Sequence, residues 1–276
     1  MKIALIQQQV SSDLDSNLER GLAAAQVAAG RGAQLIVFPE LSFTPFYPQE
    51  RLEGSRFDLA ETIPGPTTEV FTEFAARHGV VVVLNLYERS GDFTYDSSPV
   101  IDADGTLLGM TRMVHITQYK GFYEQDYYDP GDTGAPVYVT AVGRIGVAIC
   151  YDRHYPAYMS ALGKARADIV VIPQAGTRDE WPEGVFEAEV QASAFQNGYF
   201  AALANRVGEE KALTFAGESF VVDPRGQVLC QAPAGRETIL YADLDLADVS
   251  RSPARTLFFQ HTRAEFSSRD IPDNKR

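Results

Sequence analysis

The chain has 276 residues, a formal net charge of −13 at pH 7, and two cysteines, Cys150 and Cys230. The acidic balance argues against nucleic acid or an anionic membrane as a partner. Two cysteines provide no disulfide framework, so a reducing, cytoplasmic location is expected. The apolar stretch at the N-terminus is too short for a signal peptide, and no segment approaches the length of a membrane span.

Hydrophobic periodicity and turn residues predict strands and helices in alternation. Strands are expected at 3–10, 33–38, 80–87, 95–101, 106–112, 145–149, 168–172, 199–204, 214–222, 227–230 and 238–243. Helices are expected at 17–29, 67–78, 157–166, 181–196 and 244–249. Segment 114–136 is an unusually long loop, and such loops in compact domains are usually functional or disordered. This order predicts one α/β domain with either a mixed sheet or two packed sheets and helices outside.

Three short apolar runs end in chemically capable residues, namely Glu40, Cys150 and Gln174. Ligands of open α/β sheets bind beyond the carboxyl ends of strands, so a carboxylate and a thiol at that edge can act as base and nucleophile. Backbone N–H groups at a helix start after Cys150 would lower its pKa and bind an oxyanion. Taken singly, Cys150 also fits an ordinary buried cysteine, and Glu40 fits a solvated loop carboxylate.

Histidine and glycine patterns exclude several other chemistries. His154 lies four residues after Cys150, but a residue that close in a turn rarely aligns with its neighbour's thiol, so a structural role is favoured over a Cys–His pair. The histidines and cysteines show no metal-ligand spacing. Phosphate-binding glycine loops and a serine elbow are absent. We therefore expect no metal and no cofactor.

Seven motifs occur in an order that is typical of one family. They are Phe38-Pro39-Glu40-Leu41, Leu108-Gly109 with Arg112 and His115-Ile116, Tyr128-Asp129-Pro130-Gly131-Asp132, Gly146-Val147-Ala148-Ile149-Cys150-Tyr151-Asp152, Asn205-Arg206-Val207-Gly208, Glu218-Ser219-Phe220 and Asp223-Pro224-Arg225-Gly226. On these motifs the chain resembles the carbon–nitrogen hydrolases of the nitrilase superfamily, with a pattern most like N-carbamoylputrescine amidases. The resemblance runs from Lys2 to about Phe266 and implies a hydrolase domain at 1–266 followed by a tail at 267–276.

The resemblance implies a single-domain, four-layer α-β-β-α sandwich with two mixed sheets, and association into homodimers or larger assemblies. It also implies a Glu–Lys–Cys triad with a second glutamate. Cys150 matches the nucleophile, Glu40 the general base and Glu124 the second glutamate. In this scheme an amide carbon forms a thioester with Cys150, which water then hydrolyses, and the backbone N–H of Tyr151 helps to hold the oxyanion.

The family lysine has no counterpart here, because Met113 occupies its position. A thioether cannot donate a hydrogen bond, and loss of one oxyanion donor typically costs on the order of 10²–10³ in rate. Lys120 in the same loop is a candidate catalytic replacement, although it also fits a solvent-exposed lysine. Arg112 or His115 are the other candidates, and Arg112 equally fits a structural ion pair. The remaining possibility is weakened or lost activity.

Residues near the expected pocket give a limited indication of substrate. Five of them are candidates for substrate binding: Tyr151, Tyr123, Trp181, Met113 and His154. Glu183 and Glu187 would favour a cationic or neutral amide over a carboxylate, unless they only complement a helix N-terminus. The sequence therefore predicts a hydrolase for a small amide or N-carbamoyl compound. The alternatives are nitrile hydrolysis and a non-catalytic relative that binds a small molecule or a partner.

Overall fold

The computed structural model describes residues 1–263. The tail expected at 267–276 lies outside the described residues, as does the end of the expected domain at 266. Within the described part, no helix is both long enough and apolar enough to cross a membrane.

The chain alternates strands and helices much as the periodicity indicates. The strands are Lys2–Gln7 (β1), Leu35–Val37 (β2), Val81–Val83 (β3), Leu86–Ser90 (β4), Phe93–Ile101 (β5), Leu107–Arg112 (β6), Val137–Thr140 (β7), Gly143–Val147 (β8), Ile169–Gln174 (β9), Phe200–Asn205 (β10), Val207–Glu209 (β11), Thr214–Ala216 (β12), Phe220–Val222 (β13), Val228–Gln231 (β14) and Thr238–Asp243 (β15). The helices are Leu14–Gly30 (α1), Pro66–His78 (α2), Pro156–Lys164 (α3), Val185–Asn197 (α4), Ala247–Arg251 (α5) and Pro253–Thr256 (α6).

Two mixed sheets are built around matching central units. In the first sheet the order is β15-β1-β2-β3-β5-β4, with β6 on β5; in the second it is β14-β13-β10-β9-β8-β7. Strands β1, β2 and β3 are parallel and are joined by α1 and α2. Strands β8, β9 and β10 are likewise parallel and are joined by α3 and α4. Parallel strands place their carboxyl ends at one edge, so each unit presents a row of strand ends there.

Three apolar clusters divide the molecule into four layers. The central cluster lies between the sheets and joins residues such as Leu5 and Val37 to Val147 and Val171. A second cluster packs α1 and α2 on the outer face of the first sheet. A third packs α3 and α4 on the outer face of the second. The expected four-layer α-β-β-α sandwich is confirmed.

The structure corrects several predicted boundaries. The expected strand 80–87 is two strands, β3 and β4, because the chain leaves the sheet at 84–85. The expected strand 214–222 is also two, β12 and β13, interrupted by Gly217 at φ 75°. A Cβ on Gly217 would lie 2.7 Å from Gln7 Nε2, so this close approach requires glycine. Strands β7 and β11 are not predicted by the sequence pattern, and helix α4 begins at Val185 rather than at 181.

Candidate active site

The carboxyl ends of the two central units meet across the sandwich. Glu40 lies just beyond β2, Cys150 just beyond β8, and Gln174 ends β9. The Glu40 backbone N–H donates to the Gln174 carbonyl across 3.4 Å. The buried Arg206 joins the same region, because its Nη1 donates to the Glu40 carbonyl across 3.0 Å. The expected convergence of Glu40 and Cys150 at one edge therefore rests on direct backbone links between the sheets.

Two of the five described non-glycine residues with positive φ lie at the strand ends that carry the candidate base and nucleophile. Leu41 has φ 44° and Cys150 has φ 42°, which is the left-handed region that bulky residues rarely adopt. Each conformation is held from outside: the Asn85 Oδ1 accepts from the Leu41 N–H at 2.7 Å, and the Arg153 Nη1 donates to the Cys150 carbonyl at 3.2 Å. Strained residues held this firmly are typical of functional sites.

Three buried carboxyls face one another beside Cys150, and we call Glu40, Asp96 and Glu124 the acid cluster. All three are fully buried. Both Glu40 oxygens, the Asp96 Oδ2 and the Glu124 Oε1 have no hydrogen-bond partner. The bonded oxygens are the Asp96 Oδ1, which accepts from the Asn85 Nδ2 at 2.5 Å, and the Glu124 Oε2, which accepts from the Thr117 N–H at 3.2 Å. The cluster thus presents four buried oxygens without a hydrogen-bond partner, although the Cys150 thiol lies within hydrogen-bonding reach of Glu40.

Burial raises the pKa of every member of the cluster. Desolvation is the main cause for Glu40, and the charges of Asp96 and Glu124 raise its pKa further. Desolvation also raises the pKa of Asp96 to about 7, and raises that of Glu124 well above its usual range. Glu40 and Asp96 lie within hydrogen-bonding distance of each other. Because an ionised carboxylate only accepts, this bond forms only when one of the two carries a proton. A carboxyl with a raised pKa can exchange protons near neutral pH, as a general base must.

The thiol of Cys150 departs from expectation. A helix start was expected to lower its pKa, but burial and the nearby Glu40 and Glu124 charges raise it well above the usual value. The Arg153 charge and the Ala175 N–H oppose this shift only in part. A short 3₁₀ segment, Cys150–His154, separates the thiol from the start of α3 at Pro156, so the helix dipole available to the thiol is weak. Cys150 therefore needs a base. Glu40 is near enough to serve, because a hydrogen bond with the Cys150 thiol lowers the pKa of Glu40.

None of the three candidate substitutes for the missing lysine is bonded to the acid cluster. Lys120 is exposed on the loop. Arg112 is held by Glu88 at 2.5 Å and by Asp132 at 2.8 Å, which is the structural ion pair considered above. His115 donates its backbone N–H to Asp152 at 3.0 Å, and its ring Nδ1 lies 2.6 Å from the same carboxylate.

Met113 itself is fully buried in the central apolar cluster together with Cys150. Its N–H donates to the Asp96 carbonyl at 2.9 Å, and its carbonyl accepts from the Gly131 N–H at 2.8 Å. A Cβ on Gly131 would lie 2.7 Å from the Met113 carbonyl oxygen, so the Pro-Gly-Asp motif needs glycine for this approach. The position is a packed, apolar wall next to the acid cluster.

Three of the other substrate-binding candidates form one aromatic group. The His154 ring centroid lies 5.0 Å from that of Tyr151 and 5.4 Å from that of Trp181. The His154 Nδ1 bonds Glu189 at 2.8 Å, so this histidine is occupied away from Cys150. The Trp181 Nε1 is buried without a partner. Tyr123 lies elsewhere, with the Arg51 guanidinium 4.5 Å over its ring.

Sequence reasoning missed Asp96 and Glu180 in this region, whereas Tyr119 belongs to the aromatic segment 119–128 that was expected to wall the pocket. Asp96 completes the acid cluster, and its signal was an aspartate among polar neighbours in a predicted strand, where aspartate is depleted. Tyr119 donates to the Glu180 Oε1 at 2.7 Å. The charges of Cys150 and Glu124 help to raise the pKa of Tyr119, which places this pair beside the site. Among the described residues, no group of three or more histidine, cysteine or acidic side chains is arranged to hold a metal ion.

The family assignment follows from a match over most of the chain. Residues 2–254 match the family model described as carbon-nitrogen hydrolase. The chain is a member of the carbon-nitrogen hydrolase family. Its nitrilase-superfamily resemblance and its hydrolase class are thereby confirmed.

Named relatives of this carbon-nitrogen hydrolase differ in substrate. It is 31% identical to an N-carbamoylputrescine amidase of Solanum lycopersicum over 258 residues, which cover 88% of this chain and 86% of the relative. It is 28% identical to a citrullinase of Francisella tularensis over 279 residues, which cover 96% of each. The relatives therefore support an amidase-type hydrolase without fixing one substrate.

Solved structures agree with the fold and with a reactive cysteine. A carbon-nitrogen hydrolase from Helicobacter pylori G27 superposes with a TM-score of 0.90 at 27% identity, covering 96% of both chains. A mutant of the amidase from Nesterenkonia sp. AN1 superposes with a TM-score of 0.79 at 27% identity, covering 96% of this chain and 98% of that one. In that amidase, acrylamide has added to the active-site cysteine.

Proposed function

We propose that this carbon-nitrogen hydrolase cleaves a small amide or N-carbamoyl compound through a thioester on Cys150. One observation carries the proposal: Glu40 and Glu124 lie close enough to Cys150 to raise the pKa of its buried thiol. A nucleophile in contact with a base, beside a second carboxyl, is the arrangement that acyl transfer needs. The names of the relatives support amide-type substrates.

In the proposed reaction Cys150 Sγ attacks the carbonyl carbon while Glu40 accepts the thiol proton. Glu40 then returns this proton to the leaving nitrogen, and ammonia or an amine departs from the thioester. Water attacks the thioester with Glu40 again acting as base, and the acid and the free thiol are released. Glu124 sustains the raised pKa of Glu40 through its charge, and the Tyr151 N–H is the proposed oxyanion donor.

A matched pair of ureido compounds tests the proposal. N-carbamoylputrescine and citrulline carry the same ureido group on similar chains, but citrulline adds an α-carboxylate. We expect ammonia release and a covalent adduct on Cys150, both absent in Cys150→Ala, with N-carbamoylputrescine preferred because the site is acidic. Intact-protein mass and an ammonia assay make the measurement, and a simple amide and a nitrile extend the panel.

Two results would contradict the proposal in different ways. No adduct and no ammonia from any compound would favour a non-catalytic relative. A preference for the nitrile would favour nitrile hydrolysis, and a preference for citrulline would refute only the selection by charge.

A further inference from the structure

The acid cluster has far more acceptors than donors. Its four unbonded oxygens, on Glu40, Asp96 and Glu124, are all buried. The Tyr128 hydroxyl also lacks a partner, as do the Gln174 Oε1 and the Arg153 Nε and Nη2. Burial and the charges of all three carboxyls raise the pKa of Tyr128. A hydroxyl supplies a single donor. Buried acceptors without donors destabilise the folded protein. A ligand that supplies the donors would remove this destabilisation when it binds.

The cations nearest to the cluster are committed elsewhere. The Arg153 Nε lies 3.6 Å from the Glu189 carboxylate, its guanidinium lies 4.5 Å from the Phe186 ring centroid, and its Nη1 donates to a backbone carbonyl, which leaves Nη2 without a partner. Arg206 is ion-paired with Glu210 and otherwise donates to backbone carbonyls. Arg112 is paired with Glu88 and Asp132. Met113 adds a thioether wall with no charge at all.

We propose that the preferred substrate carries its positive charge on the reacting carbon group itself, as an amidinium or guanidinium, and that Asp96 is the residue that selects it. This inference rests on the proposed function, since it uses the same nucleophile and the same base. In such a substrate an N–H₂ group takes the place of the carbonyl oxygen of an amide or ureido group, and the planar shape is unchanged.

The donor pattern of such a group matches the cluster. A planar amidinium presents four N–H donors, and carboxylates bind this fork in bidentate fashion. Those donors suit the unbonded oxygens of Asp96 and Glu124, while Glu40, in contact with the Cys150 thiol, takes the thiol proton. The described residues are not arranged as a metal-ligand set, which favours an organic cation with N–H groups over a bare ion. A neutral amide would instead bring a carbonyl oxygen, a further acceptor, against these acceptors.

The chemistry also removes the need for the missing lysine. Attack of Cys150 Sγ on an amidinium carbon moves the C=N electron pair onto nitrogen, so the tetrahedral adduct is neutral and no oxyanion forms. Glu40 takes the thiol proton and returns it to one nitrogen, which leaves as ammonia from a cationic thioimidate. Water then attacks, Glu40 accepts one of its protons, and collapse expels the thiol, which takes the hydroxyl proton. The products are an amide or a urea, ammonia and one released proton.

An isosteric pair of alkylating reagents tests the charge preference without turnover. 2-Chloroacetamidine and 2-chloroacetamide differ by the charged N–H₂ in place of oxygen. After each rate is divided by that of a free thiol, we expect Cys150 to react with the amidine at least about 30-fold faster, as for a buried charge pair. Asp96→Asn should abolish most of this ratio. Asp92→Asn, which makes the same charge change at an exposed position of the same hairpin, should keep it.

Turnover separates this inference from the proposed function. The pairs are N-carbamoylputrescine with its guanidinium isostere agmatine, and propionamide with propionamidine. We expect faster ammonia release from the cationic member of each pair, and the reverse order in Met113→Lys. Cys150-dependent hydrolysis of the neutral members with equal or slower reaction of the cationic ones would overturn this inference and leave the proposed function intact. No ammonia from any of the four would overturn both.

Discussion

The two faces of strand β5 differ in how many hydrogen-bond donors their buried acids receive. On one face Ser97 donates to Glu88 at 2.5 Å, and Glu88 also receives two hydrogen bonds from Arg112 at 2.8 and 2.5 Å. On the other face Asp96, one residue away, belongs to the acid cluster and has an oxygen without a donor. Arg112 and Met113 repeat the alternation on the neighbouring segment, since the arginine pairs with Glu88 and the methionine packs in the central core.

We propose that this difference separates a structural acid from a functional one. A buried carboxylate that is paired and fully hydrogen-bonded stabilises one conformation, and its pair is costly to break. A buried carboxyl without donors destabilises the folded state and shifts its own pKa, and such groups cluster at functional sites. The following predictions test whether the two faces differ in this way.

The largest effect is expected for Glu40→Gln on the site face. Glutamine keeps the shape of Glu40 but cannot accept the Cys150 proton, so kcat/KM should fall about 10²–10⁴-fold. Steady-state ammonia release on whichever substrate proves active makes the measurement, with circular dichroism as a control for folding. A loss of less than tenfold would remove Glu40 from the role of base.

On the paired face, Glu88→Gln should act on stability. Glu88 is almost fully buried and Arg112 mostly so, and breaking a buried ion pair costs about 3–5 kcal/mol in the free energy of unfolding. Denaturant titration measures the change. The double variant Glu88→Gln, Arg112→Met should recover part of the loss, because it leaves no buried charge unpaired; Asp132, which also loses Arg112, is mostly exposed. An unchanged free energy of unfolding would place this pair with the weak surface bridges.

Asp96→Asn should change the pH dependence of stability. The pKa of Asp96 rises from 3.8 to about 7 on folding, so the folded state binds its proton more tightly than the unfolded state. Its contribution to stability is therefore lost as pH rises from about 4 to 7, by about 2–4 kcal/mol. The asparagine variant should match the native chain near pH 3 and exceed it at pH 8. The free energy of unfolding is measured against pH for the native chain, for Asp96→Asn and for the exposed control Asp92→Asn. If Asp96→Asn shows the same pH dependence as the native chain and the control, Asp96 does not have the raised pKa of a buried carboxyl.

The smallest effect is expected for Lys120→Ala. Its side chain is exposed and has no described bond to the acid cluster, so kcat/KM should change less than about threefold. A steady-state assay at matched protein concentration is sufficient. A fall in kcat/KM of about 10²-fold or more would indicate that Lys120 acts as the oxyanion donor in place of the missing lysine.

Strong local patterns made much of the fold predictable. Apolar runs of the right length located the central strands β2, β8 and β9 within a few residues, and the rule of strand ends brought Glu40 and Cys150 together. The four layers and the role of Glu124 came from the ordered motifs rather than from periodicity. The short strand β7 was not predicted, because the long polar loop before it has no residue pattern that marks where the loop ends.

What failed depends on contacts distant in sequence. The break at Gly217 lies against Gln7, more than 200 residues earlier, and no local window contains this contact. The thiol pKa was expected to be low because of the helix start that follows, but α3 begins only at Pro156, and burial and two acids raise the thiol pKa. Asp96 stood in a predicted strand as one polar residue among several, and only its juxtaposition with Glu40 distinguishes it.

The indole of Trp181 gives this molecule its own optical reporter. It is the chain's single tryptophan, its Nε1 is buried without a partner, and it lies edge-on to His154 in the aromatic group near Cys150. Emission excited through the indole therefore comes from this one place, with no background from elsewhere. Arrival of a small molecule beside it should shift the emission wavelength or intensity, so occupancy can be followed in real time by fluorescence without any added dye.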